Sequence, residues 1–342
     1  MKKFTKILAL VLAIMMCACT FISCGDNNDE DNKTIAVIAK GETHAFWQAV
    51  KAGAEAAGEK YGYKITFRGP TGESEQYVND QREMVQAALN NKNVKAIVLA
   101  TIGLGFKDEL VSAYEKGLPV VEFDSGLYDG GADLTSGKDP TIGSVATDNK
   151  AAAGVVATNF YQYLKDNGLA KNGYKVGVIQ HDSTATGIDR AAGFVEGIQN
   201  LAKADGITLE IKTEIKTNNP GEYKLGLTAL KEWGAQSIFM TNEGVVNEVA
   251  PEVKNDSSYN NILFCGFDAG TNQYDWMKDN GKTYALLVGS VAQDSYSIGY
   301  KAVELAVLKL QGKAVKDEGI EGIWYNVKNI DEQREKNIFY MG

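Results

Sequence analysis

The side chains able to do chemistry in this 342-residue chain gather at a few short stretches. Lys40-Gly41-Glu42-Thr43-His44-Ala45-Phe46-Trp47 puts a cation, a carboxylate, an imidazole and two aromatics in succession. Asp124 follows the apolar run Val120-Val121-Glu122-Phe123, and Asp268 follows Phe264-Cys265-Gly266-Phe267. Arg190 opens a helical stretch after the loop that begins at His181. Aromatic faces suit the C–H faces of a sugar ring, and carboxylates, amides and guanidinium suit its hydroxyls. Each residue also has a plainer use. Phe46 or Trp47 can pack a helix onto the core, either aspartate can cap a helix, and Arg190 can be a solvated charge at a helix start.

Covalent, metal and cofactor chemistry find little here. His44 and His181 are the only histidines and neither stands in metal-ligand spacing. No G-x-S-x-G, cysteine–histidine or P-loop pattern occurs. Gly103-Leu104-Gly105-Phe106-Lys107-Asp108 begins like a dinucleotide fingerprint but lacks the third glycine. The acidic run from Asp26 to Asp31 does not give a calcium loop and reads as a solvated charge run. We therefore expect no enzyme activity and no cofactor or metal. The net charge of −9 argues against nucleic acid, whose phosphates need Lys and Arg clusters.

The elements that hold these residues alternate. Strands are predicted at Ile35–Ala39, Lys64–Phe67, Ala96–Ala100 and Val120–Phe123, with helices at Phe46–Tyr61, Ser74–Asn90 and Asp108–Lys116 between them. After a helix over Lys150–Asn167 the pattern restarts. Strands follow at Val176–Gln180, Leu209–Ile215, Ser237–Thr241 and Ile262–Gly266, with helices at Arg190–Ala204, Gly221–Glu232 and Val245–Lys254. Continuous apolar strands between amphipathic helices indicate parallel sheets covered on both faces. At this length two lobes are expected rather than one core. Ligands bind open parallel sheets beyond the strand C-termini, where Lys40, Asp124-Ser125, His181–Arg190, Asn242-Glu243 and Asp268 fall.

The first residues are of another kind. Lys2, Lys3 and Lys6 precede an apolar run ending at Phe21-Ile22-Ser23-Cys24, a secretory signal pattern. An uncleaved anchor is the alternative, but about 16 residues between Lys6 and Ser23 fall short of the ~20 that span a bilayer. Cys24 opens a polar tether over residues 24–32, and the segment resembles a bacterial lipoprotein signal, with Cys17 and Cys19 as competitors. Cleavage at residue 23 removes three lysines and no acids, which takes the charge to −12. Cys265 is then left without a disulfide partner, as inert packing in a strand.

A more specific resemblance covers Lys33 to Gly342. The strand, polar loop and Phe-Trp of Ile35–Trp47 resemble the opening of type I periplasmic sugar-binding proteins, the ribose/galactose-binding group of ABC transporter receptors. So, in order, do Pro119–Ser125, Ala146-Thr147-Asp148-Asn149, Asp189–Phe194, Thr241-Asn242-Glu243, Gly266-Phe267-Asp268 and Val291-Ala292-Gln293 with Gly299-Tyr300. The resemblance implies two doubly wound α/β lobes joined by hinge crossovers. It divides the chain into residues 33–147 plus 294–322 and residues 148–293 plus 323–342. By position it sets Phe46 and Trp47 against a sugar, with Lys40 and His44 beside them and Gln81 reaching in from the second helix. Asp124, Asn149, Arg190, Asn242, Asp268 and Gln293 take hydrogen-bonding positions around the ring.

Departures bear on the ligand. Ser125 stands where ribose binders have arginine, His44 where they have asparagine, and Lys40 where a small hydroxyl residue is usual. No aromatic near Asn219 matches the second lobe's stacking residue, and Ser295 replaces a proline. A monosaccharide or polyol other than ribose is therefore implied. The implied partners are ABC permease subunits and, through the lipid anchor, the outer face of the cell membrane, for a monomeric receptor. A sugar-type signal receptor for chemotaxis or quorum sensing is the alternative on the same fold. A repressor of this architecture needs an N-terminal helix-turn-helix where residues 1–32 hold a signal and a tether.

Overall fold

Strand β1, Thr34–Ile38, is buried along its whole length, and its side chains alternate between two separate apolar clusters. Ile35 and Val37 enter one cluster, Ala36 and Ile38 the other, as expected for a strand covered on both faces. The computed structural model describes residues 33–335 apart from 74, 104, 126–136, 184 and 218. The signal segment, Cys24 and the acidic tether lie outside the described residues.

Around β1 the first sheet assembles β2 (Lys64–Arg68), β3 (Val94–Leu99), β4 (Val120–Phe123), β5 (Thr141–Thr147) and β11 (Glu318–Ile320). Their order is β11-β5-β4-β3-β1-β2, and every pairing is parallel. Helices α2 (Val78–Asn90) and α3 (Lys107–Glu115) cover one face through Val85, Leu89, Leu110 and Ala113. Helices α1 (Ala45–Tyr61) and α9 (Ser295–Leu310) cover the other through Val50, Ala54, Ile298 and Ala302.

The second sheet repeats the plan with β6 (Lys175–Gln180), β7 (Glu210–Ile215), β8 (Ser237–Met240), β9 (Leu263–Phe267), β10 (Leu287–Ala292) and β12 (Ile323–Tyr325). Its order is β12-β10-β9-β8-β6-β7, antiparallel only at β10–β12 among the described residues. Helices α4 (Asn149–Asp166) and α5 (Ala185–Ala204) lie on one face around Phe160, Phe194 and Phe239. On the other face lie α6 (Glu222–Trp233), α7 (Glu243–Asn255) and α8 (Thr271–Asp279). A short α10, Ile330–Glu335, follows β12. Cys265 is fully buried in β9, and burial drives its thiol well above the usual range, so it is unreactive packing.

The two α/β lobes exchange chain three times. The chain leaves the first sheet between β5 and α4, returns between β10 and α9, and leaves again between β11 and β12. The predicted strands and helices are all present, with ends shifted by a few residues. Two limits differ more: the helix expected from Ser74 starts at Val78 after a 3-10 turn at Glu75–Tyr77, and the one expected from Arg190 starts at Ala185. Strands β5, β10, β11 and β12 and helices α8, α9 and α10 were not predicted.

Candidate functional site

Asp124 and Asp268 directly follow β4 and β9 in the same unusual backbone conformation, with φ of 57° and 72°. A non-glycine residue with positive φ is uncommon, and aspartate is among the few that tolerate it. In each lobe the aspartate's own N–H donates to the neighbouring strand, Asp124 to Val145 O at 3.0 Å and Asp268 to Val291 O at 2.7 Å. The two lobes thus turn out of equivalent strands in the same way, and both aspartates line one cavity of about 440 Å³.

The first lobe furnishes Lys40, whose Nζ lies 3.0 Å from Asp124 Oδ2 and donates to Ser125 Oγ at 2.8 Å. His44 caps α1: its Nδ1 accepts the Phe46 N–H at 3.2 Å, which assigns the ring hydrogen to Nε2. Phe46 and Trp47 meet edge to face at 4.7 Å, and both are buried, yet both line the cavity. The choice between cleft and core is therefore not exclusive, because the cavity wall here is also the surface of the core. Trp47 donates its indole N–H to Glu73 Oε1 at 2.7 Å, and Glu73 lines the cavity too.

The second lobe furnishes a buried polar chain. Arg190 stacks 3.9 Å over the ring of Phe267, donates from Nε to Asn149 Oδ1 at 2.7 Å and from Nη1 to Thr241 O at 3.1 Å, and lies 3.5 Å from Asp268 Oδ2. Asp268 accepts the Glu243 backbone N–H at 2.9 Å and the Gln293 side-chain N–H at 2.7 Å. Gln293 in turn accepts from the hydroxyl of Thr147 at 2.9 Å. Arg190 is buried and held on four sides, not a solvated helix-start charge. Asn242 caps α7 through Oδ1, which accepts the Val245 N–H at 2.8 Å.

His181 lies at the end of β6, with Nδ1 2.7 Å from Thr241 Oγ1. The Thr241 hydroxyl already donates to Ile179 O at 3.1 Å, so Nδ1 carries the hydrogen and Nε2 is the acceptor. Nε2 stands 3.5 Å from Asp182 Oδ1, acceptor against acceptor, an arrangement satisfied by one donor placed between them. Burial, reinforced by Arg190, lowers the His181 pKa to about 4, so the ring is neutral at neutral pH. Glu243 goes the other way: burial and the neighbouring Asp268 raise it to about 7.

Of the residues singled out from sequence, Lys40, His44, Phe46, Trp47, Asp124, Ser125, Asn149, Arg190, Asn242, Asp268 and Gln293 share this cavity. Gln81 does not. It is fully buried, donates to Ala39 O and Ala100 O at 2.8 Å each, and accepts from Ile102 N at 2.9 Å. Its amide is consumed in bracing the loops after β1 and β3, so the expectation that it reaches a ligand is corrected. Asp182 and Thr186, in the expected His181–Arg190 loop, line the cavity too, and Glu73 and Asn247 line it without having been foreseen. Asn247 stands one turn after Glu243 on α7, a spacing that would have found it. Among the described residues no cluster of His, Cys, Asp and Glu could hold a metal, and no helix is long and apolar enough to cross a membrane.

Two parallel-sheet lobes with a polar cavity at their strand ends define a substrate-binding receptor fold. The chain matches the periplasmic binding protein domain over residues 35–314 and belongs to that family, of the type I, sugar-binding group. Membership carries an extracytoplasmic location. Among solved structures it is similar to a Brachyspira murdochii protein described as an ABC transporter, LacI family transcriptional regulator. That match has 32% identity over 90% of this chain and 98% of the other, with a TM-score of 0.76. It is also similar to an ABC transporter solute-binding protein from Agrobacterium vitis with bound D-fucose, at 29% identity over 90% of this chain and 100% of the other, TM-score 0.69. A second Agrobacterium vitis solute-binding protein, bound with α-D-tagatopyranose, shares the fold at 24% identity, 90% and 99% coverage and TM-score 0.70. No curated protein matches the chain.

Proposed function

We propose that this protein is a solute receptor that binds a sugar or sugar-like polyol between its lobes and delivers it to an ABC permease by lobe closure, without a chemical step. The observation that carries the reading is one cavity ringed by hydrogen-bonding groups from both lobes, Lys40, Asp124 and Ser125 on one side and Arg190, Asn242 and Asp268 on the other, beside Phe46 and Trp47. Carboxylates accept from hydroxyls, guanidinium and amides donate, and aromatic surface suits C–H faces. The D-fucose held by the Agrobacterium vitis relative supports a sugar as the ligand class.

Closure has a physical route. A ligand touching both lobes gains its full contacts only when they approach, so binding shifts the open–closed equilibrium. Thr147, Asn149 and Gln293 stand at the first two crossovers; Asn149 and Gln293 are hydrogen-bonded to the Arg190–Asp268 pair, and Thr147 to Gln293. Ligand contact at that pair therefore bears on the segments about which the lobes turn. Acylation of Cys24 would hold the receptor on its tether at the outer membrane surface. Mass spectrometry of the native N-terminus checks this: a diacylated Cys24 supports it, and an unmodified chain cut elsewhere refutes it.

Calorimetric titration with a panel of pentoses, hexoses and polyols tests the function. One or more should bind, and Asp268→Ala should weaken that binding about 30-fold or more, or roughly 2–5 kcal/mol for a lost buried charged hydrogen bond. Turnover of the bound sugar into product, or an unaltered affinity in Asp268→Ala, contradicts the reading.

A further inference from the structure

We propose that the solute carries a protonated amine, as an aminodeoxy sugar or amino polyol does, and that this amine seats against Glu243. The inference rests on the receptor reading above and narrows its ligand class. The cavity wall carries two permanent cations, Lys40 and Arg190, and five carboxylates. Lys40 is engaged with Asp124 at 3.0 Å and Arg190 lies 3.5 Å from Asp268. Glu73 accepts from the Trp47 indole, and Asp182 faces His181. Glu243 has no cation of its own. Its side chain is 17% exposed, and its one ion-pair contact among the described residues is His44 Nε2 at 3.6 Å. His44 turns its Nδ1 to the Phe46 N–H, and at 3.6 Å its Nε2 is beyond hydrogen-bond reach of the Glu243 carboxylate.

A carboxylate this buried needs a proton or a cation. The protein's own groups favour the first: burial, then Asp268, then Glu73 raise its pKa to about 7, against one hydrogen bond from Asn247. A ligand hydroxyl would supply a hydrogen bond and no charge. A ligand ammonium supplies both, and charge-assisted hydrogen bonds are about twice as strong as neutral ones. The place also has room. Glu243, His44 and Asn247 border both the main cavity and an adjoining recess of about 340 Å³, lined further by Thr43, Ala45, Thr271 and Asn272. A substituent at Glu243 can therefore project from a ring bound between Asp124 and Asp268.

The test is titration of the intact receptor with D-glucose, D-galactose and D-mannose, their 2-amino-2-deoxy and 6-amino-6-deoxy forms, and the N-acetylated amines. At least one amine should bind about tenfold or more tightly than its hydroxyl parent. N-acetylation should abolish that preference, and Glu243→Gln should bring the amine-to-parent ratio to about one. Titration at pH 7 in two buffers of different ionisation enthalpy gives a second readout: the amine should release protons as Glu243 ionises, whereas a neutral sugar should not. Parents binding as tightly as their amines overturn the inference and leave the receptor reading standing. Proton uptake on amine binding also overturns it. No binding by any member of the panel overturns the inference, and the receptor reading falls with it only if the pentoses and polyols also fail to bind.

Discussion

His181 and Glu243 face the same cavity, and folding shifts their protonation in opposite directions. The His181 pKa falls from 6.5 to about 4, so the unfolded chain binds more protons between those values and stability rises with pH through that window. The Glu243 pKa rises from 4.5 to about 7, so the folded chain binds more protons there and stability falls as pH rises from 4.5 to 7. At 1.36 kcal/mol per unit each effect is about 3–3.5 kcal/mol at the full shift. In the intact protein they oppose one another between pH 4.5 and 6.5. Urea unfolding of His181→Gln across pH 4–8 should show a decline with rising pH, and Glu243→Gln the reverse; two flat profiles would contradict the assignment. Gln81 makes a separate prediction. In Gln81→Leu the carbonyls of Ala39 and Ala100 and the N–H of Ile102 lose their partner, at about 1–3 kcal/mol per orphaned group. The ligand-free unfolding midpoint should therefore drop sharply, whereas a residue that merely contacted ligand would leave it in place.

At the scale of elements, the first lobe is finished by a helix that arrives late in the chain. α9 comes after the second crossover and packs on α1 so closely that neither helix has room for a side chain at the contact. A Cβ on Gly53 would fall 1.9 Å from Tyr296 O, and one on Gly299 1.9 Å from Val50 O. Gly299→Ala should force the helices apart and cost about 1–3 kcal/mol or more, read by thermal or urea unfolding; an unchanged midpoint would contradict this packing. The same elements explain what sequence could reveal. β1 and β3 were legible because Ile35–Ile38 and Ala96–Leu99 are unbroken apolar runs buried on both faces. β5, Thr141-Ile142-Gly143-Ser144-Val145-Ala146-Thr147, is mostly half-buried near the sheet edge and carries a glycine, so it has neither a run nor an alternation. β11 and β12 have three residues each and exist only through pairing with β5 and β10. α8 is mostly polar and is fixed by Trp276 and Met277, with Tyr274 packed beside them. In the site, Lys40, Asp124 and Asp268 were legible because they follow strands, and Arg190 because it lies in the stretch after β6, although it sits a turn inside α5 and not at its start. Glu73 sits mid-loop, and only the tertiary path of that loop brings it to the cavity.

For the whole molecule, three chain crossings leave two sheets that share one polar cavity, with the buried Thr147–Gln293–Asp268–Arg190–Asn149 network running from the crossings into it. In the proposed mechanism the lobes turn about the crossings without unfolding either sheet, and a ligand bonded to both Asp124 and Asp268 would favour the nearer approach. The central claim, that binding closes the lobes and leaves the ligand chemically unaltered, is tested most directly by small-angle X-ray scattering. It is measured on the ligand-free receptor and at saturation, with the bound sugar then recovered and weighed by mass spectrometry. The account predicts a smaller radius of gyration at saturation and a ligand of unchanged mass. An unchanged radius at saturation, or recovery of a product in place of the ligand, would contradict it.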